Sequence, residues 1–297
     1  MKYRLRFRIG ATLLGLLSFS CSPKEETEAD KAEAVRSETK DNPYVNSLGM
    51  KFVPVPGTDT LFCIWETRVK DYAAYAVENA GVDDEWKDFE FGGHSHKQAP
   101  DHPAVKVSWE DAKAFCAWLS KKDGVTYRLP TDHEWSVAVG IGDQEDAKAS
   151  PYEKTGVIEG FPWGAAWPPP QGAGNFGGSE SAYSYKIEGY KDDYPFTAPV
   201  GSFSADRLGL HDLSGNVWEW CEDWYNPNDQ KSRVLRGGSW IDYGFTEFHL
   251  RSSNRNGNPP TNRYSGFGFR VVVEATADQG EATKEADAAL QRTAEED

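Results

Sequence analysis

The stretch VLRGGSWIDYGFTEF, Val234 to Phe248, and the residues just after it concentrate groups able to do chemistry. Asp242, Glu247 and His249 closely follow the Gly237-Gly238 pair, and carboxylates with an imidazole form a donor set that hard or borderline metal ions accept. Ser239, Trp218, Arg251 and Arg255 supply the hydroxyl, aromatic and guanidinium groups of a ligand groove. His94, His96 and His102 sit among Gly, Ser, Lys and Pro rather than on two rigid elements, so they read as solvated loop residues, not metal ligands. Asp212 and Glu219, within HDLSGNVWEW, offer oxygen ligands, but a capped turn with a buried, hydrogen-bonded Glu explains them equally well. His133 and Glu134 have the look of an acid–base pair; the capping box Thr131-Asp132-His133-Glu134 accounts for them better.

These groups must be carried by short elements. NSLGMKFVPVPG reads as a first strand stopped at Pro56-Gly57, and Leu61 to Ile64 as a second. A helix is predicted from near Thr67 to Gly81, with Val69, Tyr72, Ala73 and Ala76 on one face. Asp83 to Pro103 reads as an irregular loop. Ser108 caps a helix whose stripe is Ala112, Phe115, Cys116 and Leu119 and whose stop is Gly124. The helix opened by Thr131 buries Trp135, Val137 and Val139. With 28 Gly and 17 Pro spread along 297 residues, the composition favours a loop-rich domain with an aromatic core over a helical bundle or a doubly wound sheet.

The formal charge of −15 argues against nucleic acid and anionic membrane surfaces, which need a basic stripe. Residues 1–21 read as an export signal: Lys2, Arg4, Arg6 and Arg8, an apolar run from Ile9 to Phe19, and a lipobox-like Cys21. Removing the signal deletes four positive charges and no negative ones, taking the charge from −15 to −19. Residues 22–42 are acidic, without aromatics and about half charged, as a solvated tether requires; residues 274–297 read as an acidic tail. The expected setting is a bacterial cell envelope, with a lipid-anchored domain of residues 43–273 facing the periplasm or exterior. Cys63, Cys116 and Cys221 are far apart with no C-x-x-C pair, so one disulfide is possible and a cysteine metal cluster is not expected.

TAPVGSF, GLHDLSGNVWEW, RVLRGGSW and GFGFRVV, in this order, resemble the formylglycine-generating-enzyme (sulfatase-modifying-factor) family, as do NSLGMKFVPVPG, SWEDAKAFCAWL and RLPTDHEW before them. The resemblance implies an α+β, single-domain, elaborated C-type-lectin-like fold with little regular secondary structure. Active members use two cysteines after the glycine turn to bind copper and oxidise a substrate cysteine; here those positions are Asp242 and Glu247. Thiolates select soft Cu(I), and carboxylates do not replace them. The cysteine that often bridges to the Cys116 position is Val271, so the resemblance implies an unpaired Cys116. It also implies structural Ca²⁺ at Asn175, Phe176, Asp192 and Tyr194, and a second set at Asp212, Gly215, Val217 and Glu219. Trp218 and Ser239 match residues lining the substrate groove.

Three functions follow. One is a binding or accessory protein without the copper site, taking a peptide, glycan or small ligand in its groove and touching membrane only through its lipid anchor. Another is a metal-dependent oxidoreductase of non-heme iron type, built on Asp242, Glu247 and His249. The last, disfavoured by the missing thiolates, is formylglycine generation itself.

Overall fold

The structure is a computed structural model describing residues 41–274 except 92, 93, 182 and 183. The export signal with Cys21, the tether up to residue 40 and the tail from residue 275 lie outside the described residues.

With strands and helices numbered in chain order, a five-stranded antiparallel sheet runs β1 (Tyr44–Val45), β2 (Lys51–Pro54), β3 (Thr60–Cys63), β11 (Val272–Glu274), β6 (Tyr127–Arg128). The C-terminal strand thus closes the sheet between two N-terminal ones, pairing Val272 with Phe62 and Val273 with Leu61. Every residue of β3 is buried, because side chains that alternate between faces meet apolar cover on both. Phe52, Leu61, Cys63 and Val273 join Tyr72 and Tyr75 of α1 (Val69–Glu78), and Phe115 and Leu119 of α2 (Trp109–Asp123). Val53, Phe62 and Val272 join Trp135 of α3 (Asp132–Ala138) on the other side.

A second sheet carries the glycine turn: β10 (Phe267–Gly268), β7 (Trp218–Trp224), β8 (Arg233–Arg236), β9 (Asn256–Asn258), with β10 and β7 parallel and the other pairs antiparallel. The short α4 (Pro151–Lys154) and a 3-10 segment, Gly244–Leu250, flank it.

Two helix starts follow the capping boxes read from the sequence. Asp111 N–H donates to Ser108 Oγ (3.1 Å) and Ser108 N–H to Asp111 Oδ2 (2.8 Å). Glu134 N–H donates to Thr131 Oγ1 (3.1 Å) and Thr131 N–H to Glu134 Oε2 (2.8 Å). Helix α1 begins at Val69, later than Thr67, because Arg68 caps it: its N–H and guanidinium both donate to Asp71. Val137 and Val139 are only partly buried; Trp135 takes the core-facing place in that short helix.

The expected loop from Asp83 to Pro103 is instead a hairpin, β4 (Asp88–Phe91) against β5 (His94–Lys97). Phe89 and Phe91 on its inner face pack on Phe196 and Trp240. Cys63, Cys116 and Cys221 are buried and unpaired.

Candidate functional site

Strand β8 leads into Gly237 and Gly238, with φ of 95° and 77°. A Cβ on Gly238 would sit 2.6 Å from Leu250 Cδ2, so glycine here lets the end of the 3-10 segment fold back onto the turn. Ser239 N–H and Oγ–H both donate to Asp242 Oδ2, at 2.8 and 3.1 Å. The other oxygen, Asp242 Oδ1, accepts from His249 Nδ1 at 2.7 Å. That contact fixes the imidazole and leaves Nε2 as the ring's other proton-accepting or ligating atom. Trp218 meets His249 edge-to-face with 5.8 Å between centroids.

The sequence candidates therefore divide. Asp242, Ser239 and Trp218 are 7%, 1% and 4% exposed and act within the turn rather than on an open groove. Glu247 and Arg251 are partly exposed and line a recess that Asp242 does not reach. Among the described residues, no hydrogen bond joins Glu247 to Asp242. The two positions that the resemblance matches to the copper-binding cysteines thus serve different surroundings.

Arg255, expected in the groove, is buried beneath the turn. Its Nε and Nη2 donate to Asp132 Oδ1 and Oδ2 at 2.9 and 3.0 Å, and Nη2 lies 2.6 Å from Glu145 Oε1. Arg236, also fully buried, donates through Nη1 to Asp132 Oδ1 at 2.6 Å and covers the Trp135 ring. Burial pushes the Asp132 carboxyl up, but the two guanidinium groups outweigh it and hold the carboxyl below its usual range.

The His94 side chain lies outside the described ones, and among the described residues neither His96 nor His102 joins a cluster of three metal-ligating side chains. The His96 ring packs 4.1 Å from Phe196, and His102 Nδ1 is hydrogen-bonded to Thr197 Oγ1 at 2.9 Å. Both are partly buried packing residues rather than solvated ones, and burial lowers the His102 pKa.

The first set of oxygens is held by loops. Asn175 donates through Nδ2 to Phe196 O (2.7 Å), while its buried Oδ1 has no hydrogen-bond partner. Phe176 N–H and Tyr194 N–H donate to the two oxygens of Asp192, at 2.8 and 2.9 Å. Burial, opposed by these two N–H groups and reinforced by the Glu180 carboxyl, pushes Asp192 up to about 7. An orphaned buried amide oxygen and a buried carboxyl held by the same loops, with the Phe176 and Tyr194 carbonyls, make a donor set that suits a hard divalent cation. Glu180 carries no signal in the sequence, because its neighbour Asp192 reaches it only through the fold.

In the second set, Gly215 is required: at φ 82° a Cβ would lie 2.3 Å from Asn175 O. Asp212 Oδ2 accepts from Gly201 N–H at 2.8 Å, and Oδ1 is buried without a partner. Glu219, however, is committed. Arg270 Nη2 donates to its Oε1 at 2.7 Å, Arg270 Nε reaches Oε2 at 3.1 Å, and Trp135 Nε1 donates to Oε2 at 3.1 Å. The ion pair leaves Asp212 Oδ1 as the one side-chain oxygen of this set without a partner, so the set suits a cation less well than the first. Buried Glu66, unnoticed in the sequence, accepts from Asn216 Nδ2 (2.6 Å) and Val217 N–H (3.1 Å). Burial and the nearby Asp212 and Glu219 push it well above the usual carboxyl range. Among the described residues, no three His, Cys, Asp or Glu side chains converge as a metal cluster.

An α+β domain of short strands, with an acid in a glycine turn and oxygen-rich loops beside it, defines the class. Residues 27–275 match the sulfatase-modifying factor enzyme 1-like domain, and the chain belongs to this family of formylglycine-generating-enzyme-like proteins. It is 33% identical over 202 residues to the inactive C-alpha-formylglycine-generating enzyme 2 of Bos taurus, covering 66% of this chain and 58% of that protein. It is 31% identical over 206 residues to the formylglycine-generating enzyme of Thermomonospora curvata, covering 64% and 61%. The matched region therefore spans about three fifths of these relatives. The fold is similar to that of Treponema denticola variable protein 1, at a TM-score of 0.55 and 18% identity over 78% of this chain and 97% of that one. Relatives named active and inactive lie at nearly the same identity, so the residues of the turn carry the functional argument.

Proposed function

We propose that this chain is an exported, lipid-anchored member of the family that binds a ligand and does not generate formylglycine. One observation carries the reading: the carboxylate at the first cysteine position, Asp242, is spent on Ser239 and His249, and the second position, Glu247, belongs to a separate recess. Copper(I) activation of dioxygen in this fold needs two soft thiolates at one place. The three cysteines of the domain are buried in the cores, and burial pushes Cys63 and Cys116 up to about 12.

Calcium, when bound, supplies the positive charge that the loops lack. Asn175 and Asp192 through their side chains, with the Phe176 and Tyr194 carbonyls, are the residues proposed to hold it. Asn175 Oδ1 without a partner and the high Asp192 pKa support that assignment.

The Asp242–His249 contact favours a second reading, a metal-dependent oxidoreductase of non-heme iron type. Elemental analysis of the purified domain separates the two. Calcium without stoichiometric iron or copper supports the binding reading. Iron or copper that is present in the wild type and lost in Asp242→Ala overturns it.

A further inference from the structure

Between the loop that follows α4 and the end of the 3-10 segment lies a recess of about 300 Å³, lined by Glu159, Gly160, Phe161, Ala165, Trp167, Glu247 and Arg251. Its walls are fastened to each other. Ser252 N–H donates to Gly160 O (3.0 Å), Gly156 N–H to Ser253 O (3.1 Å), and Ser253 Oγ–H to Ile158 O (2.6 Å). Phe161 and Gly164 exchange N–H···O bonds of 2.8 and 2.9 Å, closing the loop into a tight ring. The result is an aromatic ledge: Phe161 stacks on Trp163 at 4.8 Å and 3°, and Trp167, 37% exposed, stands 5.5 Å from Phe161.

The charged groups around this ledge are uncommitted. Arg68, Arg128, Arg236, Arg255, Arg263 and Arg270 each hold a carboxylate elsewhere in the domain. Among the described residues, Arg251 holds none, although Glu159 and Glu247 share its recess, and neither glutamate has an ion-pair or side-chain hydrogen-bond partner there. Spare acceptors, a spare forked donor and an exposed aromatic face therefore meet in one rigid concavity.

We infer that this recess binds a neutral saccharide, a claim that rests on the binding reading of the domain and names its ligand class. A cationic ligand meets Arg251 and an anionic one meets both Glu159 and Glu247, so a charged ligand always faces a group of like sign. A neutral pyranose uses all of them: its C–H face covers Trp167 and Phe161, its hydroxyls donate to Glu159 and Glu247, and a ring or hydroxyl oxygen accepts from Arg251. Each charged side chain stays hydrogen-bonded as water leaves, which an apolar ligand does not allow. The volume lies at the small end of the roughly 300–1,000 Å³ usual for ligand pockets, suiting one or two sugar rings.

The test uses the full purified chain on an array of neutral hexoses, pentoses, N-acetylhexosamines and their di- to tetrasaccharides, then calorimetry with the strongest sugar. Saturable binding is expected, weakened at least about tenfold by Trp167→Ala and about fivefold by Glu247→Gln or Arg251→Met, with circular dichroism unchanged. A folded protein that retains no neutral sugar overturns the inference. So does sugar binding indifferent to Trp167→Ala, or a basic peptide that binds through Trp167 in place of any sugar. Such failures leave the metal content untouched, whereas stoichiometric iron or copper at Asp242 defeats the functional reading and leaves a sugar result standing.

Discussion

Replacing Asp132 by Asn removes the charge that holds two buried guanidinium groups together while keeping the side chain's shape. In the wild type, Asp132 Oδ1 lies 2.6 Å from Arg236 Nη1 and 2.9 Å from Arg255 Nε. At an effective dielectric of about 20, each such pair near 3 Å attracts by roughly 5–6 kcal/mol before desolvation is subtracted. Breaking a buried pair from one side costs about 3–5 kcal/mol net. Glu145 still neutralises Arg255 in the variant, so the orphan is Arg236, and the expected loss is about 3–4 kcal/mol. For a domain of this size that lowers the melting temperature by roughly 6–16 °C, read by circular dichroism at neutral pH. Because the Asp132 pKa is depressed, its contribution is full above the unfolded carboxyl value and is lost as pH falls through the folded one, below 3.8. Wild type and variant should therefore converge in acid. Pairing the change with Arg236→Met should recover part of the loss, since the uncompensated charge leaves with it. A drop smaller than about 2 °C, or a gap that widens in acid, would refute the claim that this ion network supports the turn.

Asp192 gives the opposite pH dependence: its pKa is raised, so its stabilisation is greatest below the unfolded carboxyl value and falls as pH rises toward about 7. In chelator, stability should fall across that window by roughly 2 kcal/mol, after allowing for solvent screening. Calcium should raise the melting temperature more at pH 8 than at pH 5, and Asp192→Asn should abolish the difference; equal calcium effects at both pH values would sink the assignment. Cys63, Cys116 and Cys221 should resist a thiol reagent in the folded protein and react only on denaturation, because burial raises all three pKa values. Rapid labelling of the native domain would show that one of these thiols is available for chemistry. Cys21→Ser should eliminate palmitate labelling and move the protein from the membrane to the soluble fraction; labelling that persists would refute the lipid anchor.

Local signals carried far in this chain. Ser108 with Asp111, and Thr131 with Glu134, announce their helices because a cap needs only residues three apart. The apolar runs around Phe52 and Phe62 announce strands because both faces of their sheet are covered. What stayed hidden depends on partners distant in sequence. The β4–β5 hairpin escaped because Phe89 and Phe91 find their cover in Phe196 and Trp240, while Gly and Pro nearby suggest a loop. Arg255 read as a groove-lining residue because its counter-charges, Asp132 and Glu145, lie more than a hundred residues away. At the site, the residue types at the cysteine positions were legible; that Asp242 would be consumed by His249 and Glu247 left to a sugar-sized recess was not, since both follow from how the 3-10 segment folds back on Gly238.

The most direct test of the central claim is mass spectrometry of a sulfatase-type peptide, bearing the substrate cysteine, incubated with the purified domain, copper and reductant in air. The Asp242 and Glu247 geometry predicts that the cysteine remains a thiol, with no formylglycine above a protein-free control. Formylglycine formed in a catalytic, domain-dependent amount would contradict the account.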